Sequence, residues 1–310
     1  MAVLKVAIAG FGGVGRATGN LLLARRKRYR QVYQSDVCLV AVCGSRSGVA
    51  DPSGLEPERL DELEPGLTGP DFIEASGADI LIEAGPSDYS TGEPGLAYIR
   101  SSLEGGRDTI VISKGALVHS GAELRALARS SGTMLKVSGA AGAALPTIDL
   151  LEQSVKGCEV LEIEGILNAT TNYLLDAMMN QGLGFDEALA HAQARGFAEA
   201  DPRKDTEGWD TASKLLIVAN FGLDASLTMD DLTVEGIGFI TERDIVRWRE
   251  ERRVPKLIGS FTRAGSAVQA EVAVRSYPWA DPLAQVAGKN KAIRISTVEM
   301  GETIATASGA

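Results

Sequence analysis

Two groupings in this 310-residue chain combine residue types that could do chemistry. One is Gly196-Phe-Ala-Glu-Ala-Asp-Pro-Arg-Lys-Asp-Thr-Glu-Gly-Trp-Asp210, a carboxylate-dense loop running into Thr211-Ala-Ser-Lys-Leu-Leu-Ile-Val-Ala219. Asp210 and Lys214 stand four apart and so share one helix face. As a solvated ion pair they would be worth only about 0.3–0.5 kcal/mol. The rest of that helix is too apolar to be fully exposed, and a half-buried lysine can be tuned for proton transfer or carbonyl polarisation. The other grouping is Gly10-Phe-Gly-Gly-Val-Gly15, between a β-branched run over 4–9 and a helical repeat over 16–25. In that order Gly10 permits a tight turn, Gly12 lets the backbone approach a pyrophosphate, and Gly15 lets the helix pack on the strand. Gly13 and Val14 complete a helix N-terminus that offers N–H groups and partial positive charge to phosphates. The competing reading is a glycine turn with a purely structural role.

These groups need elements to position them. Strands are predicted over 4–9, 37–42, 80–83, 109–113 and 134–137, with helices near 91–104 and 120–130. The alternation is that of an α/β protein with a Rossmann-type doubly wound parallel sheet. Its strand ends would place Gly85, Ser113 and Lys114 along one cofactor edge. An NAD site usually ends its second strand on an acid for the ribose 2′-hydroxyl. Here the segment is Gly44-Ser-Arg-Ser47, and Ser45, Arg46 and Ser47 suit a 2′-phosphate through charge-assisted bonds. NADP is therefore expected; NAD is the alternative if Arg46 is a solvated loop residue. Beyond Pro146 a strand over 159–164 leads into an apolar helix capped by Asn168 or Thr170, and helices over 185–195 and 211–219 follow.

Composition bounds the function. At ~150 residues per domain the length suggests two domains. With 31 Lys+Arg against 41 Asp+Glu the net charge is −10, which repels polyphosphate backbones and argues against nucleic-acid binding. No stretch of about 18 apolar residues exists to span a membrane. Cys38, Cys43 and Cys158 have no metal or redox spacing, which points to a reducing cytoplasm. His119 and His191 fall in no motif.

Several runs resemble homoserine dehydrogenases, over nearly the whole chain. Gly165-Ile-Leu-Asn-Ala-Thr-Thr-Asn-Tyr173 is similar to that family's G-x-L-N-x-T-T-N-Y, and residues 196–214 to its signature G-[YF]-x-E-x-D-P-x-x-D-x-x-G-x-D-x-x-x-K. Ser113-Lys114-Gly-Ala-Leu resembles its N-K-A-L segment, and Tyr277-Pro-Trp-Ala-Asp-Pro-Leu-Ala-Gln-Val-Ala-Gly288 its P-x-x-H-P-L-A-x-V-x-G run. The resemblance implies NAD(P)-linked interconversion of L-aspartate 4-semialdehyde and L-homoserine, on the branch toward threonine and methionine. It implies a nucleotide-binding domain (1–145), an α+β catalytic and dimerisation domain (146–288), a return segment toward the nucleotide domain (289–310), and a homodimer. Carried over by position, Lys214 and Lys114 are the lysines near the reacting oxygen, with their roles exchangeable. Glu199, Asp205 and Asp210 are then the acids of the substrate pocket, and Thr170 lies on the substrate-side helix cap.

The chain also departs from the family. Ser138 stands where a glutamate helps to hold a monovalent cation such as sodium, leaving only backbone carbonyls such as those of Ala141 and Ala143 for one. Lys291 replaces a usual asparagine, and the chain stops short of the family's final helix. No kinase or regulatory module is recognisable, so a monofunctional enzyme without threonine feedback is expected. The alternatives are a catalytically silent nucleotide-binding homologue and a related dehydrogenase with another substrate.

Overall fold

The computed structural model describes residues 1–265 and 267–308, and the chain divides into two compact units, Met1–Ala140 and Ala141–Ala310. The last two residues of the expected return segment, 309 and 310, lie outside the described residues.

The first unit is built on β1 (Ala2–Ala9), β2 (Ser35–Cys43), β3 (Ser47–Ala50), β4 (Glu64–Pro65), β5 (Ile80–Glu83), β6 (Asp108–Val111) and β7 (Leu135–Lys136). They form one sheet in the order β4-β3-β2-β1-β5-β6-β7. The five strands from β2 to β7 are parallel, while β3 and β4 add an antiparallel margin. Alternation along β1 sends Ala7 and Ala9 into one apolar cluster, with Phe72, Ile73 and Leu81. Val6 and Ile8 enter a second cluster, with Leu39, Leu55 and Ile82. Burial of both faces explains why these strands are continuous apolar runs rather than alternating ones. The helix Gly13–Tyr33 is fastened to the start of β2: Arg26 and Arg30 both make bidentate bonds to Asp36, at 2.7–3.0 Å. Those two guanidinium groups hold the Asp36 carboxyl far below the usual carboxylate range.

The second unit contains β8 (Val160–Ile166), β9 (Leu232–Val234), β10 (Arg253–Ala264), β11 (Ala267–Pro278), β12 (Lys291–Thr297) and β13 (Gly301–Ala307), in the order β13-β12-β8-β10-β11-β9. All neighbours are antiparallel except β9 on β11. The segment expected as a return toward the nucleotide domain is thus, over its described residues, an antiparallel pair in this second sheet. At Gly259 of β10 an added Cβ would stand 3.2 Å from Thr211 Cγ2, so the missing side chain lets the helix Trp209–Ile217 lie close on the strand. Buried Glu164 of β8 ties three strands together. It accepts from Tyr277 Oη at 2.5 Å, from Arg275 at 3.0 Å and from Arg294.

Candidate functional site

In the first unit the glycine loop is held from below. The amides of Gly10 and Phe11 both donate to the Cys43 carbonyl at 2.9 Å. Gly10 sits at φ +94°, with a hypothetical Cβ 2.3 Å from the Gly85 amide. A Cβ on Gly15 would fall 2.1 Å from the Gly10 carbonyl. Gly12 and Gly13 differ: a Cβ there meets nothing within 4 Å. Folding therefore requires glycine at positions 10 and 15, whereas packing within the chain places no such demand on 12 and 13. Val14 is exposed beside them. Gly10, Gly44, Ser45, Gly69, Glu83 and Gly85 line a cavity of about 400 Å³. Arg46 is exposed in the turn from β2 to β3, and Ser47 opens β3.

Glu83, at the end of β5, belongs to none of the sequence motifs above. Its carboxylate is 1% exposed and accepts from the Gly85 amide at 2.7 Å and from Ser113 Oγ at 2.5 Å. Burial pushes its pKa up, and those two bonds oppose the rise. Lys114 caps the helix Gly115–Ser131, and its amide donates to Ser87 Oγ at 2.9 Å.

In the second unit the polar groups converge on Asn168. Its Oδ1 accepts from the Thr171 amide at 2.9 Å and caps the helix Ala169–Gln181, so Asn168 rather than Thr170 is the cap. Its amide nitrogen then donates to Asp205 at 2.7 Å and to Asp210 at 2.8 Å. Lys214 Nζ donates to the same Asp210 oxygen at 2.6 Å and to the Leu167 carbonyl at 2.9 Å. An ammonium has three N–H donors, so these bonds leave one for another acceptor. The carboxyl of Asp205 is raised by burial and then by the neighbouring Asp210 charge.

The structure thus gathers Asp205, Asp210 and Lys214 around Asn168. Thr170 Oγ1 instead donates to the Phe197 carbonyl at 3.1 Å. Glu199 is exposed, two residues further along the same loop. His119 and His191 are exposed as well.

Lys291 is buried at the first position of β12, with Nζ donating to the Gly142 carbonyl at 2.9 Å. Burial lowers its pKa, as does the nearby Lys214 charge, while Asp210 opposes the change. Ala141 is buried and Ala143 is exposed. Among the described residues no three His, Cys, Asp or Glu side chains group as metal ligands. The one polar signal that could have exposed Asn168's second role is its donor count, because a cap uses only the amide oxygen.

Two family models match the chain: "Homoserine dehydrogenase" over residues 146–310 and "Homoserine dehydrogenase, NAD binding domain" over residues 10–138. The chain is 35% identical to the NAD(+)-dependent homoserine dehydrogenase of Pseudomonas canavaninivorans, covering all of this chain and 92% of that one. It is 33% identical to the homoserine dehydrogenase of Sulfurisphaera tokodaii, covering 95% and 89%. Among solved structures, one from Archaeoglobus fulgidus superposes with a TM-score of 0.90 at 30% identity, covering 99% and 94%. A homoserine dehydrogenase from Thiobacillus denitrificans superposes with a TM-score of 0.87 at 26% identity, covering 100% and 70%.

Proposed function

We propose a function from one premise: the chain belongs to the homoserine dehydrogenase family. It is an NAD(P)-dependent oxidoreductase that reduces L-aspartate 4-semialdehyde to L-homoserine, reversibly. NAD(P)H, when bound, supplies the hydride, and the open backbone at Gly12 and Gly13 is where its pyrophosphate would lie against the helix N-terminus.

The observation that carries the chemistry is the state of Lys214, with two N–H groups engaged and one available. As the aldehyde carbon is reduced, negative charge grows on its oxygen. A preorganised ammonium stabilises that charge and gives up the proton. Asp210 orients the ammonium, and Asn168 fixes Asp210 relative to Asp205. Lys114 is the proposed electrostatic partner, a role it could exchange with Lys214. The substrate's α-ammonium is assigned to Glu199 and Asp210 with Asp205 in support, and Thr170 to the substrate side of the helix cap. A catalytically silent role has no observation in its favour.

The finer reading is NADP preference, supported by exposed Arg46 between two serines and by the lack of an acid at the end of β2. The enzyme is proposed to act in the cytoplasm as a homodimer, in threonine and methionine biosynthesis. No helix among the described residues is long and apolar enough to cross a membrane. Two measurements test this. The first is oxidation of NADPH or NADH on adding aspartate semialdehyde, whose absence with both cofactors would refute the activity. The second is the pair of KM values for the two cofactors, and a lower KM for NADH would refute the NADP preference.

A further inference from the structure

We infer that Lys291 is a positioning residue whose ammonium takes the place of a monovalent cation at the C-terminal end of the short helix Ser138–Gly142, so that this chain needs no bound sodium or potassium for turnover. The inference rests on the oxidoreductase reading above and concerns the electrostatics of the same site. The family resemblance implies a cation there, and the residues present do not fit one.

The position is already taken by a positive charge. Lys291 is 7% exposed, and its Nζ lies 2.9 Å from the Gly142 carbonyl oxygen, between the two residues whose carbonyls would be left to ligate a metal. A metal ion beside a buried ammonium meets like-charge repulsion that solvent does little to screen. Each seeks oxygen, but an ammonium is satisfied by up to three acceptors. The carboxylate that would neutralise a metal is replaced by Ser138 in this sequence, a change that suits a site whose cation is covalently attached.

The attachment is rigid. Lys291 directly follows a loop clamped by two buried polar side chains. Asn172 Nδ2 lies 3.0 Å from each of the carbonyls of Val286, Gly288 and Asn290, so its two donors are shared among three acceptors. Lys256 Nζ supports that clamp by donating to Asn172 Oδ1 at 2.9 Å and to the Val286 carbonyl at 2.5 Å. On the other side of the contact, Ala143 adopts φ +52°, a left-handed conformation that non-glycine residues hold only where the surroundings fix it. The ammonium thus joins the clamped loop to the end of the helix Ser138–Gly142. Lys214 and Asp210 lie near enough to act on it electrostatically, so the ammonium stands close to the pair to which the reading above assigns the proton transfer.

The test compares salts at equal ionic strength, with substrate and cofactor supplied as tetramethylammonium salts. The wild-type protein is expected to reduce aspartate semialdehyde with the same kcat/KM, within about twofold, in tetramethylammonium chloride, NaCl and KCl. Lys291→Asn and the apolar near-isostere Lys291→Met should lose about tenfold or more in kcat in tetramethylammonium chloride. Lys291→Asn should recover several-fold on addition of Na⁺, K⁺ or NH₄⁺, with a cation-specific rise in Tm that the wild type lacks. Activation of the wild type by about tenfold with Na⁺ or K⁺ would overturn the inference, as would full activity of both variants without added cation. The wild-type comparison needs no variant, so it decides even if neither substitution folds. Absence of turnover by the wild type in every salt would sink the enzymatic reading itself. In that case the Tm response of Lys291→Asn still decides where the cation sits.

Discussion

Replacing Lys214 by alanine removes the group that donates to Asp210 at 2.6 Å and to the Leu167 carbonyl at 2.9 Å. Two separate losses follow. A positioned general acid contributes about 10²–10⁴ in rate, or about 2.7–5.4 kcal/mol of barrier at 1.36 kcal/mol per tenfold. Asp210 also loses its ion pair with Lys214, while the Asn168 amide still donates to it. Removing one partner of a fully buried ion pair costs about 3–5 kcal/mol. These side chains remain 17% and 14% exposed, so screening brings the expected loss of stability to about 1–3 kcal/mol. Steady-state kinetics of semialdehyde reduction and thermal melting on the same preparation separate the two. Lys214→Ala should lower kcat by at least about a hundredfold, with Tm down by about 2–10 °C. Lys214→Arg should recover most of the Tm, because a guanidinium still pairs with Asp210. It should recover little of kcat, because a group that stays protonated is a poor proton donor. If Lys214→Ala lost stability as expected yet kept kcat within about threefold of wild type, the pair would be structural and the proton donor would lie elsewhere.

Other expectations are briefer. Gly15→Ala puts a Cβ 2.1 Å from the Gly10 carbonyl and should lower Tm sharply, whereas Gly12→Ala enters open space and should leave Tm unchanged while raising the cofactor KM; circular-dichroism melts alongside cofactor titrations check the contrast. Arg46→Ala should raise the KM for NADPH about ten- to a hundredfold and leave that for NADH within about twofold, since only the 2′-phosphate would use the guanidinium. Asp36 has a folded-state pKa well below its unfolded value, so its stabilising contribution is complete above the ordinary carboxylate pKa near 3.8 and is lost as pH falls below it. Asp36→Asn should therefore lower Tm at neutral pH and flatten the acid limb of a Tm-against-pH curve, and an unchanged acid limb would refute the assignment.

The parts of this molecule that were legible in the sequence are those whose determinants are local. β1 and β5 announce themselves because both faces are buried and the runs are continuously apolar. β2 is legible only over 37–42, since Ser35 and Asp36 look like loop and owe their strand position to the arginines of the preceding helix. β3 and β4 are not legible because four residues and two residues at an antiparallel margin carry no period of their own. The long β10–β11 hairpin is hidden for a different reason. Lys256, Arg263, Glu271 and Arg275 interrupt its apolar pattern, and burying Lys256 makes sense only once Asn172 and the Val286 carbonyl are seen to receive it. The site divides along the same line. Asp210 and Lys214 meet within one helical turn, so their pairing could be read from spacing alone. Asn168 reaches its two carboxylates across 37 and 42 residues, and Lys291 reaches Gly142 across 149. Spacing can therefore nominate the group that moves a proton. The charges that surround that group, and so set how readily it does so, are decided by contacts that exist only once the chain is folded.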